Sequence, residues 1–339
     1  MFLIEFLPPR PAPLWPLAVQ MGIRHCVVKT DPRWTHLPPP SEIDTLRTIQ
    51  RELADAGLTL IGLEGDPIDM TRIKLGLPGR DEDIAAYQTM LRNMGELGLR
   101  LLCYNFMAGI GWHRSNAEVL GRGRALVSQL DVAGMPSTLT EHGEVSAERI
   151  WENYVTFLRA ILPVAEKAGV RLGAHPDDPP VPALRGLGRI FHSPAQFERV
   201  LDLSPSRHHG LTFCQANWKL MSGADSDETQ RRLAEHVCRF TGTGRVHFVH
   251  LRDVVGDAQC FTETFHDEGP TDMATMLRLY HDAGFRGPVR CDHVPTMAGE
   301  TNDTPGYGTL GRLFADGYLL GLMDALQVRT TPEEWLEKL

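Results

Sequence analysis

The 339-residue sequence lacks the features of several protein classes. Its six cysteines form no CxxC pair, so reduced thiols in the cytoplasm are expected. Its apolar runs are far shorter than the roughly 20 residues of a membrane span. Glu5 interrupts the apolar N-terminus, which has no basic start and so does not resemble a signal peptide. A formal charge of −9 offers no basic surface for nucleic acid. We therefore expect a cytoplasmic protein with neither a membrane nor a nucleic-acid partner.

What the sequence does contain is a regular alternation of short apolar runs and amphipathic segments. Alternation of this kind is typical of α/β proteins with parallel strands. Strands are predicted at residues 2–6, 23–28, 58–64, 99–106, 170–175, 210–214, 246–251 and 288–292. Eight strands that alternate with helices predict a (β/α)8 TIM barrel. No GxGxxG turn follows a strand, which disfavours an open dinucleotide-binding sheet.

One connection is longer than the others. Residues 107–145 are rich in glycine and separate the fourth and fifth predicted strands. We interpret them as an insertion that crosses the C-terminal face of the barrel, with room for a short helix. No change of composition marks a second domain, so residues 1–339 are expected to form one domain that carries this insertion.

Four residues of metal-ligand type end the last four predicted strands: His175, Cys214, His250 and Asp292. Parallel strands of a barrel end at one face, so these side chains are expected to meet there. Two imidazoles, a thiolate and a carboxylate suit Zn²⁺, Mn²⁺, Fe²⁺ or Co²⁺ better than Mg²⁺ or Ca²⁺. The softness of the thiolate by itself ranks Zn²⁺ first. A nucleophilic Cys214 is the alternative, but no acyl-transfer motif such as GxSxG supports it.

Other polar residues lie at the same ends of the predicted strands. An arginine there can hold a carboxylate with two hydrogen bonds, and Glu64 or Asn105 can contact a substrate hydroxyl or support the ligands. His293 can face the site if the chain turns at Val294-Pro295. The further candidates for the site are therefore Glu64, Asn105, Arg252, His293, Tyr307 and Arg312.

The sequence resembles the mannonate dehydratases, a metal-dependent family among the xylose-isomerase-like barrels. The resemblance is carried by CYNFM (103–107), by AHPDDPP and GLGRIFHS within 174–193, by TFC (212–214), HLR (250–252) and DH (292–293), and by PGYGTLGR (305–312). It implies that the four ligand-type residues bind Mn²⁺ and that His293 and Tyr307 take part in proton transfer. It also implies dehydration of D-mannonate to 2-keto-3-deoxy-D-gluconate.

The sequence departs from the family pattern around the expected pocket. Gln215-Ala216-Asn217-Trp218 follows Cys214 where a Thr-Gly-Ser run is typical, and Val294-Pro295-Thr296 follows His293 in place of Gly-His-Gln. A related enzyme acting on another sugar acid or on a sugar is thus one hypothesis. A sugar isomerase or epimerase on the same barrel and a zinc-stabilised binding protein are the alternatives. A homodimer is the default assembly.

Overall fold

A parallel sheet forms the centre of the computed structural model, which describes residues 1–336; the last three residues of the predicted 1–339 domain lie outside the described part. The strands, including those of two smaller sheets, are β1 (Phe2–Leu3), β2 (Glu5–Leu7), β3 (His25–Val28), β4 (Thr59–Glu64), β5 (Leu101–Tyr104), β6 (Asn116–Leu120), β7 (Leu126–Asp131), β8 (Arg171–Ala174), β9 (Ala183–Leu184), β10 (Leu187–Gly188), β11 (His209–Cys214), β12 (Val246–Leu251), β13 (Val254–Gly256), β14 (Cys260–Glu263) and β15 (Pro288–Cys291).

The helices lie between these strands in the chain. They are α1 (Leu14–Gln20), α2 (Pro32–Thr35), α3 (Ile43–Asp55), α4 (Thr71–Leu75), α5 (Arg80–Glu96), α6 (Ala147–Ala168), α7 (Pro194–Asp202), α8 (Gln215–Ser222), α9 (Asp227–Gly242), α10 (Met273–Asp282), α11 (Thr309–Ala325) and α12 (Pro332–Leu336). Among residues 1–336, no helix is both long and apolar enough to cross a bilayer.

The central sheet is a barrel, as the sequence predicts. Its strand order is β1-β15-β12-β11-β8-β5-β4-β3-β2, and all of its pairings are parallel. The first predicted strand is divided at Ile4: β1 pairs with β15, and β2 pairs with β3. Residues 2–7 therefore join the two ends of the sheet and close the barrel.

Local sequence signals set the helix ends. The side chain of Ser146 accepts a hydrogen bond from the Arg149 backbone at the start of α6, and Gly169 ends that helix with φ of 68°. A serine N-cap satisfies an amide that has no partner within the helix, and glycine adopts the left-handed conformation without a Cβ clash. Ser193, Ser226 and Asp272 cap α7, α9 and α10 in the same way. These capping residues explain why the alternation of strands and helices can be predicted from the sequence.

Apolar side chains fill the amino-terminal half of the barrel. The interior cluster comprises Phe2, Ile4, Val27, Ile61, Leu101, Cys103, Phe248 and Trp335. Trp335 of α12 also stacks on Arg171, the first residue of β8, with the guanidinium carbon 3.9 Å from the ring centroid. The interior of the barrel thus contains an apolar cluster, and the candidate site residues lie at the carboxyl ends of the strands, where TIM barrels have their active sites.

The insertion at residues 107–145 crosses that carboxyl end. It contains two β-strands, whereas the sequence analysis left room for a short helix. Strands β6 and β7 form a hairpin around a single 3-10 turn at Arg122–Arg124. Strand β7 then pairs with β14, which pairs with β13, giving the antiparallel order β13-β14-β7-β6. We call this four-stranded unit the mouth sheet. The sequence analysis did not predict it, and it contributes side chains to the site.

Candidate metal centre

The four residues of metal-ligand type lie at the carboxyl ends of consecutive barrel strands. Cys214 is the last residue of β11, and His250 is the last but one of β12. His175 directly follows β8, and Asp292 directly follows β15. Strands β8, β11, β12 and β15 are neighbours in the sheet. The four residues therefore lie at the same face of the barrel, where the sequence analysis expects them.

Three of the four form a compact cluster. One ligand atom each from His175, Cys214 and His250 lies within 4.8 Å of the others. The two imidazole rings are tilted at 47° with their centroids 5.0 Å apart. Cys214 and His250 are buried, whereas His175 is partly exposed. Of the three ligand-type residues, His175 is thus the one that solvent reaches.

The two imidazoles are prepared for a cation. Among residues 1–336, neither ring nitrogen of His250 has a hydrogen-bond partner, although both are buried. Nδ1 of His175 lies 2.7 Å from the carbonyl oxygen of Pro176 and donates to it, which leaves the Nε2 lone pair free. Burial lowers the pKa of His175 to about 4, and burial together with Arg290 lowers that of His250. Neutral imidazoles with unused lone pairs are what a metal requires.

The thiol completes a donor set that fits a transition metal. Sγ of Cys214 lies 2.8 Å from Oδ1 of Asn217 and 3.5 Å from Oδ2 of Asp292. Burial raises the pKa of this thiol, so without a cation it stays protonated. A bound metal removes that proton from a coordinating thiol. The orphaned nitrogens of His250 and this donor set therefore fit a metal site.

Asp292 lies beside the cluster and is also held by two arginines. Nε of Arg252 lies 2.8 Å from Oδ2, and Nη2 of Arg290 lies 2.9 Å from Oδ1. Although burial raises its pKa, His293 and the arginines hold the pKa of Asp292 well below its ordinary range. The carboxylate is thus ionised and oriented, with one oxygen close to the Cys214 sulfur.

Arg252 is the centre of a buried network of charges. Its Nη1 contacts both carboxylate oxygens of Glu263 at 3.0 Å, and its Nη2 contacts Asp178 and Asn217 at 2.7 Å. Together with Asp292, these partners occupy every guanidinium nitrogen. The side chain is fully buried. Arg252 therefore fixes the positions of Asp292 and of Asn217, which in turn contacts Cys214.

The structure brings His293 and Tyr307 together. The chain leaves the sheet after β15, and His293 turns inwards so that its Nδ1 lies 3.0 Å from Oε1 of Glu263. The ring of Tyr307 meets His293 edge-on, with centroids 5.4 Å apart. Gly306 has φ of 83°, and a Cβ there would lie 3.4 Å from the His293 ring. The left-handed backbone of this turn favours a glycine at position 306.

The other predicted residues are also near this end of the barrel. Glu64 pairs with Arg290 at 3.0 Å and lies 3.6 Å from Nε2 of His250. Asn105 is partly exposed after β5, and its Oδ1 accepts from Nζ of Lys74 at 2.8 Å. Arg312 pairs with Glu5 at 3.2 Å and packs over the ring of Tyr307 at 5.1 Å.

Sequence reasoning did not single out several residues of the charged network beside the site. Asp178 lies within the HPDDPP run, and Arg290 is two residues before Asp292, where the strand period places both side chains on one face. Those two could have been found. Glu263 is the last residue of β14 in the mouth sheet, and Arg114 lies just before β6. The two residues are 149 positions apart and form an ion pair. No local pattern indicates such a pair.

The chain has the fold of the xylose-isomerase-like TIM barrels, and its His-Cys-His cluster at the carboxyl ends of the strands is a candidate metal site. A solved xylose isomerase-like TIM barrel protein from Mycobacterium smegmatis, in complex with magnesium, aligns over 96% of this chain and 97% of its own with a TM-score of 0.58; at 13% identity it shows the fold alone.

The family model for D-mannonate dehydratase (UxuA) matches residues 20–135 and 130–332. Mannonate dehydratase 2 of Halalkalibacterium halodurans is 33% identical over 310 residues, which cover 84% of this chain and 87% of that protein. The crystal structure of mannonate dehydratase from Streptococcus suis serotype 2 aligns over 96% of this chain and 95% of its own, with a TM-score of 0.86 and 27% identity. The chain belongs to the mannonate dehydratase family. The family and the fold predicted from the sequence are therefore confirmed.

Proposed function

We propose that this chain is a metal-dependent hydro-lyase that converts D-mannonate to 2-keto-3-deoxy-D-gluconate and water. The observation that carries the proposal is the cluster of His175, Cys214 and His250 at the mouth of a barrel of this family. Curated relatives along nearly the whole chain are named mannonate dehydratases. No comparable observation favours an isomerase, an epimerase or a closed zinc site.

The metal site in this proposal consists of His175, Cys214, His250 and Asp292. Mn²⁺ is the proposed ion on the family resemblance, and Fe²⁺, Co²⁺ and Zn²⁺ suit the same donors. When bound there, the cation supplies an electrophile that stabilises negative charge on the substrate's carboxylate and neighbouring hydroxyl. All other steps fall to the protein side chains.

The two proton transfers are assigned to His293 and Tyr307. Loss of water across C2 and C3 requires a base to take the C2 proton and an acid to protonate the hydroxide that leaves C3. The enol that results tautomerises to the 2-keto acid. The contact between the two rings, next to Asp292, supports assigning both groups to the same pair of reacting carbons.

Residues around the pocket receive supporting roles. We propose that Asn105 contacts a substrate hydroxyl, because it is partly exposed and oriented by Lys74. Glu64 holds Arg290 beside His250. The sequence predicts Arg252 and Arg312 as carboxylate ligands, but Arg252 is occupied by protein acceptors and Arg312 is paired with Glu5. We propose instead that they orient Asp292 and Tyr307.

The assembly and the location are part of the same proposal. Cys214 must be a reduced thiol to bind a metal, which suits the cytoplasm. The sugar acid is the small-molecule partner, and we propose a homodimer as the working assembly. Light scattering at enzyme-assay concentrations tests the dimer, and a monomer mass would contradict it.

The decisive experiment is a screen of aldonic acids, including D-mannonate, with the Mn²⁺-loaded protein. We expect a 2-keto-3-deoxy product from D-mannonate, and its formation should stop after chelation. Cys214→Ser should lose both bound metal and activity. Cys238→Ser is the matched control, because Cys238 is an exposed thiol and should keep both. Interconversion of substrates without loss of water would refute the dehydratase proposal.

A further inference from the structure

Glu263 reaches His293 from outside the barrel. It ends β14 of the mouth sheet, its carboxylate is buried, and Oε1 lies 3.0 Å from Nδ1 of His293. We propose that Glu263 is a positioning residue that holds a hydrogen on Nδ1 of His293, so that Nε2 is the ring nitrogen that exchanges a proton with the substrate. This inference rests on the proposed role of His293.

The chemistry of the pair selects one tautomer. An ionised carboxylate can only accept hydrogen bonds, so a ring nitrogen 3.0 Å away must carry a hydrogen. Although burial raises its pKa, Arg252 and Arg114 hold the pKa of Glu263 well below its usual range, and the carboxylate stays charged. With the hydrogen on Nδ1 bonded to Glu263, the ring nitrogen left for the substrate is Nε2, which is 3.8 Å from Oδ1 of Asp292.

Arg114 is the one competing donor to Nδ1 in the described part of the chain. Its Nη2 lies 3.4 Å from Nδ1, farther than the Glu263 oxygen, and the same Nη2 also contacts Glu263. If Arg114 donated to Nδ1, the lone pair of that nitrogen would face the carboxylate across 3.0 Å. Two facing acceptors repel each other, so the geometry favours the bond from Nδ1 to Glu263.

Aromatic neighbours keep the ring in that orientation. Trp112 packs against His293 with ring centroids 5.3 Å apart, and Tyr307 meets it edge-on at 5.4 Å. Trp112 belongs to the same insertion as Arg114, whose guanidinium packs over the indole at 4.9 Å. The insertion and the mouth sheet therefore supply both the packing and the hydrogen bond that hold His293.

Asp178 provides a matched control for Glu263. It contacts the same two arginines, Arg114 at 2.7 Å and Arg252 at 2.7 Å, and it is equally buried. Its carboxylate makes no hydrogen bond to His293 among the contacts of residues 1–336. Asp178→Asn thus removes one negative charge from the same network and leaves the Nδ1 contact in place.

The test compares Glu263→Gln with Asp178→Asn. Two-dimensional ¹⁵N spectra of the histidine rings report the tautomer, and His293→Asn assigns the signal among the fourteen histidines. We expect Nδ1–H in the wild type and in Asp178→Asn, but a mixture in Glu263→Gln, because an amide can donate as well as accept. With D-mannonate, Glu263→Gln should lower kcat roughly 10–100-fold, as loss of an orienting partner does elsewhere, with little change in KM or metal content.

Two results would overturn the proposal: an unchanged His293 tautomer in Glu263→Gln, or an equal loss of kcat in Asp178→Asn. If Glu263→Gln does not fold, Glu263→Asp replaces it, since it keeps the charge between the arginines but withdraws the carboxylate from Nδ1. An unchanged tautomer and kcat in Glu263→Asp would likewise refute the role. Failure of the wild type to dehydrate D-mannonate would refute the proposed function alone, because the spectra read the tautomer without turnover.

Discussion

Replacing Arg252 with methionine should weaken both the fold and metal binding. The side chain is fully buried, and its nitrogens contact three carboxylates and the Asn217 amide. Methionine fills much of the same volume but leaves the acceptors without this partner. The substitution therefore separates a structural role from the role as substrate ligand that the sequence suggests.

The expected loss of stability depends on how many ion-pair partners each carboxylate retains in Arg252→Met. Removing one partner of a buried ion pair costs about 3–5 kcal/mol, because a buried charge loses its compensation. Each of the three carboxylates retains one other arginine: Asp292 keeps Arg290, whereas Asp178 and Glu263 keep Arg114. The expected loss is therefore that of one buried pair, about 3–5 kcal/mol. Because Asp292 loses its orientation, metal affinity should fall roughly 10–100-fold.

Urea unfolding and metal titration of the same preparations provide the assay. Arg239→Met is the control, because Arg239 makes an exposed ion pair with Glu198 at 2.7 Å, and such pairs contribute about 0–1 kcal/mol. The reasoning is refuted if Arg252→Met keeps the stability and metal affinity of the wild type. A rise in KM alone would instead support Arg252 as a ligand of the substrate's carboxylate.

The remaining predictions concern the proton-transfer pair and the response to acid. His293→Ala and Tyr307→Phe should retain metal yet lower turnover roughly 10²–10⁴-fold, since each removes a general acid or base; metal content and kcat measured together check this, and a parallel loss of metal would contradict it. The metal-free protein should lose stability as the pH falls from 7 to 5. Burial lowers the pKa of His209 and His266 to about 4, below the unfolded value of about 6.5, so the unfolded chain binds protons first. Each histidine then removes about 2 kcal/mol, and equal urea midpoints at the two pH values would contradict the prediction.

Most strands of the barrel could be predicted because the sequence patterns that specify them are local. Each of the predicted strands overlaps a strand of the central sheet, since buried parallel strands appear as short apolar runs between capped helices. The division of the first strand at Ile4 could not be predicted, because it follows from closing the sheet against β15 and β3. The mouth sheet was missed for a similar reason. Its β14 pairs with β7, far away in the chain.

The sequence by itself determined where His175, Cys214, His250 and Asp292 would lie. Strand ends are fixed by local pattern, and a barrel brings successive strand ends to one face. Only the tertiary structure decided the partners of these residues. The ion pairs of the buried arginines and the contact of Glu263 with His293 connect different segments of the chain. These segments meet only after the barrel closes and the insertion folds over it. A buried charge requires a partner of opposite charge, and the fold decides which residue is near enough to be that partner. The pairing therefore cannot be predicted from the spacing of residues in the sequence.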